Sequence, residues 1–312
     1  MASTTGTKVA VVGPNGTLGQ VVVKELLKLG YSITLVTRDA SKTRQGFTSN
    51  DQITIVEVDF SSTEGLTEAL RDHQSVVSLI NRDQPDAQIK VIDAALEAGV
   101  EQIIPSCFGL DTRVPEVHGN PSVATKAKME DYLFSKIPSS DTKTTYTAIM
   151  TGLFLDWALG IGMIVNAVGK GDKPTMFFDD GEAKLSMTHR EDIGKAVASA
   201  VEHRNDDRFK NKRLLIHTIA ATQNEFIAYA KELAPEKPWP MFKIDTAEAA
   251  RKSQEALDKG DTSADAVRGF LMKMSFGDRL GFFSEVDNDL LGVKEQDGAY
   301  LKKLLSGFLQ GQ

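Results

Sequence analysis

The sequence holds a single cysteine, Cys107, among 312 residues. That excludes an intrachain disulfide and fits a reducing, cytoplasmic setting. Long runs of basic residues are missing too, and 36 Lys and Arg against 43 Asp and Glu leave a formal charge of −7. A field able to neutralise phosphates along a duplex is therefore lacking, and direct binding of nucleic acid is not expected. The opening MASTTGTK is polar, without the apolar core of a signal peptide. Internal repeats and low-complexity tracts are absent, and no metal site is expected. One stretch, Ala148 to Gly169, approaches the length of a membrane span. Asp156 and several glycines within it argue against a spanning helix, and it reads as a strand followed by an apolar pocket wall. A membrane partner is not expected.

What is present is alternation. Apolar runs at Lys8 to Val12, Ile33 to Thr37, Ile53 to Val58, Ser75 to Ile80 and Gln102 to Ser106 are separated by helical patterns near Thr17 to Leu29, Thr63 to Arg71 and Ala87 to Ala98. Continuous apolar strands divided by helices predict a parallel sheet covered on both faces. A helix near Val123 to Lys136 and a strand at Thr144 to Met150 extend it, and Arg213 to Thr218 returns to it through a helix opened by Asp192. From Thr222 onward the pattern is helical, with amphipathic stretches near Asn224 to Leu233 and Thr246 to Leu257. The expectation is an α/β fold: a Rossmann-type doubly wound parallel sheet with a smaller, mainly helical substrate-binding lobe. The sheet domain is placed at residues 1–155, with 185–220 returning to it, and the lobe at 156–184 and 221–312.

Directly after the first strand stands GPNGTLG, with Gly13, Gly16 and Gly19 spaced as G-x-x-G-x-x-G. Between a buried strand and a helix, this loop can offer backbone N–H groups to a pyrophosphate, so Gly13, Asn15, Gly16, Thr17, Leu18 and Gly19 are candidate contacts. The second strand ends in Arg38 rather than a carboxylate, which selects the 2′-phosphate of NADP(H), with Lys42 and Arg44 adding positive field. Asp39, one position on, is expected to point away. Asp59 and Phe60 end the third strand, where an adenine would lie, and Asn81 ends the fourth, near the second ribose.

Taken with Gln88 in AQIKVIDAALEAGV, IIPSCFG at Ile103 to Gly109 and TKAKMEDYL at Thr125 to Leu133, these residues resemble the NmrA-like group of atypical short-chain dehydrogenases/reductases, in particular its isoflavone, phenylcoumaran benzylic ether and pinoresinol-lariciresinol reductases. The resemblance runs through YTAIMTGLF (Tyr146 to Phe154) and resumes at HREDIG (His189 to Gly194). It implies NADPH, hydride delivery to a phenolic or conjugated substrate, and a proton-handling lysine, matched by Lys126. Two departures stand out: Cys107 occupies a place where a glutamate often stands, and Pro138 to Lys143 lengthens a turn. Tyr132 and Lys136 form Y-x-x-x-K, but too late on their helix to be the tyrosine-dependent catalytic pair.

Hydride transfer leaves negative charge on the substrate that a proton or cation must meet. Lys126 can supply either, and partial desolvation beside the nicotinamide ribose is expected to weaken its ammonium. His118 is a candidate second acid. Phe108, Met150, Phe154, Trp157, Met163 and Phe178 are candidate walls for a flat hydrophobic ligand, whereas Cys107 reads as a buried small residue. The reading is an NADPH-dependent reductase of a small hydrophobic conjugated, imine or benzylic metabolite of secondary metabolism, as a monomer or homodimer. An NADP-binding redox-sensing regulator and an enzyme that uses reduction to trigger cyclisation are the alternatives.

Overall fold

The computed structural model describes residues 6–47, 50–81, 84–137 and 143–311. The Pro138 to Asp141 insertion and the first five residues of MASTTGTK lie outside the described residues. In chain order the first half gives β1 (Lys8–Val12), α1 (Gly19–Lys28), β2 (Ser32–Thr37), α2 (Ala40–Gly46), β3 (Ile53–Glu57), α3 (Thr63–Leu70), β4 (Ser75–Ser78), α4 (Pro85–Glu97), β5 (Gln102–Ile104), α5 (Pro115–His118), α6 (Ala124–Lys136) and β6 (Thr145–Met150). Then follow β7 (Leu153–Phe154), α7 (Leu155–Gly160), β8 (Thr175–Phe178), β9 (Lys184–Thr188), α8 (Arg190–Glu202), β10 (Lys212–Leu215), β11 (Ile219–Thr222), α9 (Gln223–Leu233), β12 (Met241–Ile244), α10 (Thr246–Asp258), α11 (Arg268–Met272), a π-helical turn over Lys273–Gly277, and α12 (Gly298–Gln310).

Seven strands make the main sheet in the order β10-β6-β5-β4-β1-β2-β3, and every pairing is parallel. The chain winds outward from β1 in both directions, so the strand order reverses between β1 and β4. Strand alternation divides the core. Val9 and Val11 face a cluster with Val22 and Leu26 of α1 and Val197 and Val201 of α8. Ala10 and Val12 face the opposite cluster, with Leu66 of α3, Val91 of α4 and Leu133 of α6. A β-carbon on Gly194 would stand 2.8 Å from the Val21 carbonyl oxygen, so glycine lets α8 close onto α1.

The second layer is richer in strand than the sequence led us to expect. β11, β9 and β7 form a three-stranded sheet, and β12 pairs with β8. These pack with α9 and α12 around Phe178, Phe226, Leu301 and Leu305. The chain passes straight from a main-sheet strand into the three-stranded sheet at β6–β7 and at β10–β11. Ile216 N–H still bonds the Met150 carbonyl at 3.0 Å, while Thr218 N–H has moved to Met187 at 2.9 Å; the run from Arg213 to Thr218 therefore leaves the main sheet after Leu215. At Gly152, φ is +60° and a β-carbon would stand 2.1 Å from the Ser186 carbonyl oxygen, so the sharp exit from β6 requires glycine. α8 begins at Arg190 rather than at Asp192, because the His189 ring accepts from Glu191 N–H and caps it. Among the described residues no helix is long and apolar enough to cross a membrane; Asp156 in the apolar stretch instead pairs with Arg190 at 2.6 Å.

Candidate functional site

The glycine loop leaves the carboxyl end of β1 beside the point where the strand order reverses. Gly13 N–H bonds the Val36 carbonyl at 3.0 Å, and Leu79 N–H bonds Val12 at 2.8 Å. The three glycines have different reasons for being there. Gly13 has φ +79°, and a β-carbon on it would lie 3.2 Å from Ile80 N. Gly19 opens α1 directly against the preceding turn, and its β-carbon would fall 1.6 Å from the Pro14 carbonyl oxygen. Gly16 is exposed, and the nearest atom to its β-carbon would be 3.7 Å away. The protein's own packing thus demands Gly13 and Gly19 but leaves Gly16 bare for no internal reason. α1 has no side-chain N-cap and no acidic residue in its first turn; Gly19 N–H bonds the Gly16 carbonyl at 3.2 Å, and no side chain offsets the partial positive charge at the helix start.

Asn15 is used by the loop itself. Its amide donates to Thr37 Oγ1 at 3.3 Å and Thr43 Oγ1 at 3.0 Å, tying the loop to the end of β2 and the middle of α2. Thr17 is exposed, and Leu18 turns into the core at 6% exposure. Beyond β2, Asp39 caps α2 by accepting from Lys42 N–H at 2.8 Å, which directs its carboxylate into the helix. Arg38 stays exposed, its guanidinium 5.5 Å above the centre of the Phe60 ring. Among the described residues neither Arg38 nor Lys42 makes an ion pair. Asp59 folds back on Ser61, accepting from its hydroxyl at 2.6 Å and its N–H at 2.8 Å; the hydroxyl bond is the main reason its carboxyl sits below the usual range. Asn81 is exposed, and its carbonyl receives Gln84 N–H at 3.1 Å and Gln88 Nε2 at 3.2 Å.

Two strands along, Lys126 rises from α6 to the end of β5. Its Nζ donates to the Cys107 carbonyl at 2.5 Å and lies 3.6 Å from Glu130 Oε1. A β-carbon on Gly109 would come within 3.2 Å of it, so the bare backbone there makes room for the ammonium, whose side chain is 12% exposed. Burial, reinforced by the Glu130 charge, pushes the Cys107 thiol well up, which keeps it neutral and unreactive. Sequence reasoning missed Glu130 and Thr112, whose hydroxyl donates to the Glu130 carboxylate. The one signal was the i,i+4 spacing of Lys126 and Glu130.

Tyr132 donates to Asp93 on α4, and burial with that bond lifts its phenol to about 12. It belongs to the face of α6 that packs on α4, where Lys136 Nζ also lies 3.9 Å from Asp93. His118 Nε2 is 2.9 Å from Asp131 on α6. Of the candidate walls, Phe108 and Phe154 lie half-buried against the first core cluster, Met163 half-buried against the lobe core, and Trp157 exposed on α7. Met150 and Phe178 must be corrected. Met150 is fully buried with Leu215 and Phe283, and Phe178 stacks on Phe276 at 4.0 Å inside the lobe; both are closed core.

With this geometry in hand, comparison with known proteins is decisive at family level: the profile of the NmrA-like family matches residues 5–234. The chain belongs to that family. Among its relatives is "Oxidoreductase aprR" of Aspergillus flavus, 30% identical over 261 residues that cover 81% of this chain and 82% of the relative. "Isoflavone reductase-like protein" of Olea europaea is 26% identical over 218 residues, covering 67% and 68%. The solved structure "AtPrR2 with NADP+ and (+)pinoresinol" shares the fold, with TM-score 0.72 at 20% identity over 97% of this chain and 98% of the other.

Proposed function

We propose that this member of the NmrA-like family is an NADPH-dependent reductase that passes a hydride to a small, flat, hydrophobic substrate of conjugated, imine or benzylic type. One observation carries the reading: an exposed, sterically unneeded Gly16, an Arg38 that makes no ion pair among the described residues and a half-tethered Lys126 stand in a row along the carboxyl edge of one sheet. The strands between them are ~4.8 Å apart, so Arg38 on β2 and Lys126 beside β5 are separated by roughly 14 Å. That is an arrangement for a ligand with an anionic head, a central pyrophosphate and a reactive far end. The donors fit such a group. The Gly16 backbone and the uncapped start of α1 suit a pyrophosphate, and Arg38, backed by Lys42, suits a 2′-phosphate. The relatives named oxidoreductase and isoflavone reductase-like, and the structural neighbour that holds NADP+ and pinoresinol, point the same way.

Bound NADPH would supply the hydride. This chain's part is then to orient, to exclude water and to handle a proton. Lys126, with one ammonium N–H bonded to the Cys107 carbonyl, has two others to present. One of these can stabilise charge as it builds on the substrate and then pass across as a proton. Phe108 and Phe154 would flank the ring system. The test is transfer from 4-deuterated NADPH to a panel of conjugated, imine and benzylic compounds. Deuterium is expected at one carbon of the product, on one face. Consumption of substrate without deuterium uptake, or NADP(H) binding with no turnover across the panel, overturns the reading.

A further inference from the structure

Glu130 is fully buried one helical turn beyond Lys126 on α6. Its Oε2 accepts from the Thr112 hydroxyl. The Cys107 thiol also stands against this carboxylate as a hydrogen-bond donor, while Oε1 has no N–H or O–H partner among the described residues and faces Lys126 Nζ at 3.6 Å. A carboxylate sealed from water is expensive unless a cation stands close, and Lys126 is that cation. The lysine is not consumed by the arrangement, because its short bond goes to the Cys107 carbonyl rather than to Glu130.

Building on the reductase reading above, we propose that Glu130 is a positioning residue that keeps Lys126 charged and aimed at the open side of Gly109. The other charged and titratable groups around it do not supply that effect. Cys107, on the segment after β5, stays a neutral thiol, and Arg213 of β10 acts on Cys107 with a positive charge. When Lys126 gives a proton to the reduced substrate, its N–H bond breaks and an O–H, N–H or C–H bond forms there. The amine left beside Glu130 then takes up one proton from the solvent, so each turnover consumes one solvent proton alongside the hydride and the lysine is restored.

The test reads the charge on Lys126 directly. Trace labelling of the full chain with acetic anhydride from pH 6 to 11, followed by tandem mass spectrometry, reports the neutral fraction of Lys126 against exposed Lys128 in the same molecule. In Glu130→Gln, which keeps the side-chain volume, the Lys126 profile is expected to move to lower pH by about one unit, seen as ~10-fold more labelling near pH 8. Glu130→Asp, which keeps the charge but draws it back by one methylene, gives a smaller shift in the same direction and serves if Glu130→Gln does not fold. An unchanged Lys126 profile in a folded variant overturns the proposal, as does a shift to higher pH. The readout needs no substrate, so a failure of deuterium transfer counts against the reductase reading alone.

Discussion

The guanidinium of Arg38 lies 5.5 Å above the ring of Phe60, so the residue just after β2 is braced by one three residues beyond β3. Phe60 is itself anchored in the core at 6% exposure, which leaves the charged end of Arg38 at the surface but restricts where it can swing. Arg38→Ala is expected to weaken NADPH binding by roughly 1.5–3 kcal/mol, the scale of a hydrogen bond to a charged group. NADH binding should barely change. Calorimetry with both cofactors decides it, and equal losses would make Arg38 a fold residue.

The glycine loop permits a separation of fold from ligand. Gly19→Ala forces a methyl into the Pro14 carbonyl and should lower stability by about 1–3 kcal/mol or more. Gly16→Ala meets only ordinary contact distance inside the protein, so its melting temperature should stay within what ~0.5 kcal/mol produces. Its NADPH affinity should nevertheless fall at least about tenfold, because a methyl would stand where the pyrophosphate approaches. Denaturant melts together with NADPH titrations of both variants check the pair. A Gly16→Ala protein that binds normally would remove the loop from the site.

Two histidines predict how stability depends on pH. Burial holds both His73 and His217 below the ordinary value of 6.5. His73 Nε2 meets Thr34 Oγ1 at 2.8 Å, and His217 spans Ser186 Oγ at 3.0 Å and Glu295 Oε1 at 3.1 Å. Between 6.5 and their lower native values, the unfolded chain binds protons that the folded chain refuses. Stability is therefore full above about pH 6.5 and declines as pH falls below it. Melting temperatures from pH 7.5 down to 5 should fall, and His73→Gln should flatten the curve. The Ser186–His217–Glu295 chain is no hydrolase triad, since Ser186 is fully buried and its Oγ accepts from Phe283 N–H at 2.9 Å.

The first half of the fold was legible because each parallel strand is an apolar run, with a helix on either side of it. The strands of the second layer were not. β7 has two residues, and β12 presents Met241 and Phe242 to solvent at 44% and 63% exposure, so neither length nor alternation marked them. In the site, the spacing of Gly13, Gly16 and Gly19 and the choice of Arg38 over a carboxylate could be read directly. Glu130 could not, because a glutamate four residues after a lysine on a helix is ordinarily a solvated pair. Its burial depends on Thr112 and Cys107, which only the folded chain brings to it. Met150 and Phe178 erred for a related reason, since hydrophobicity alone does not separate a pocket wall from a closed core.

Lys126→Ala tests the chemistry at the far end of the site. The side chain has a short bond to the Cys107 carbonyl and a carboxylate at 3.6 Å, so it is held in place before any ligand arrives. A group that acts on charge appearing during the reaction contributes to the transition state and little to cofactor binding. Turnover should therefore drop by at least ~100-fold, with NADPH affinity nearly unchanged. Some stability will go as well, because the substitution strands the buried Glu130; a loss of about 3–5 kcal/mol is the scale for a buried charge deprived of its partner. Measuring rate and melting temperature on the same preparation separates the two effects. Tyr132→Phe is the control, since its phenol is committed to Asp93 on the α4 side and its loss should leave turnover intact. If Lys126→Ala turns over normally, or if Tyr132→Phe is the variant that fails, the assignment of the proton-handling residue to Lys126 is wrong.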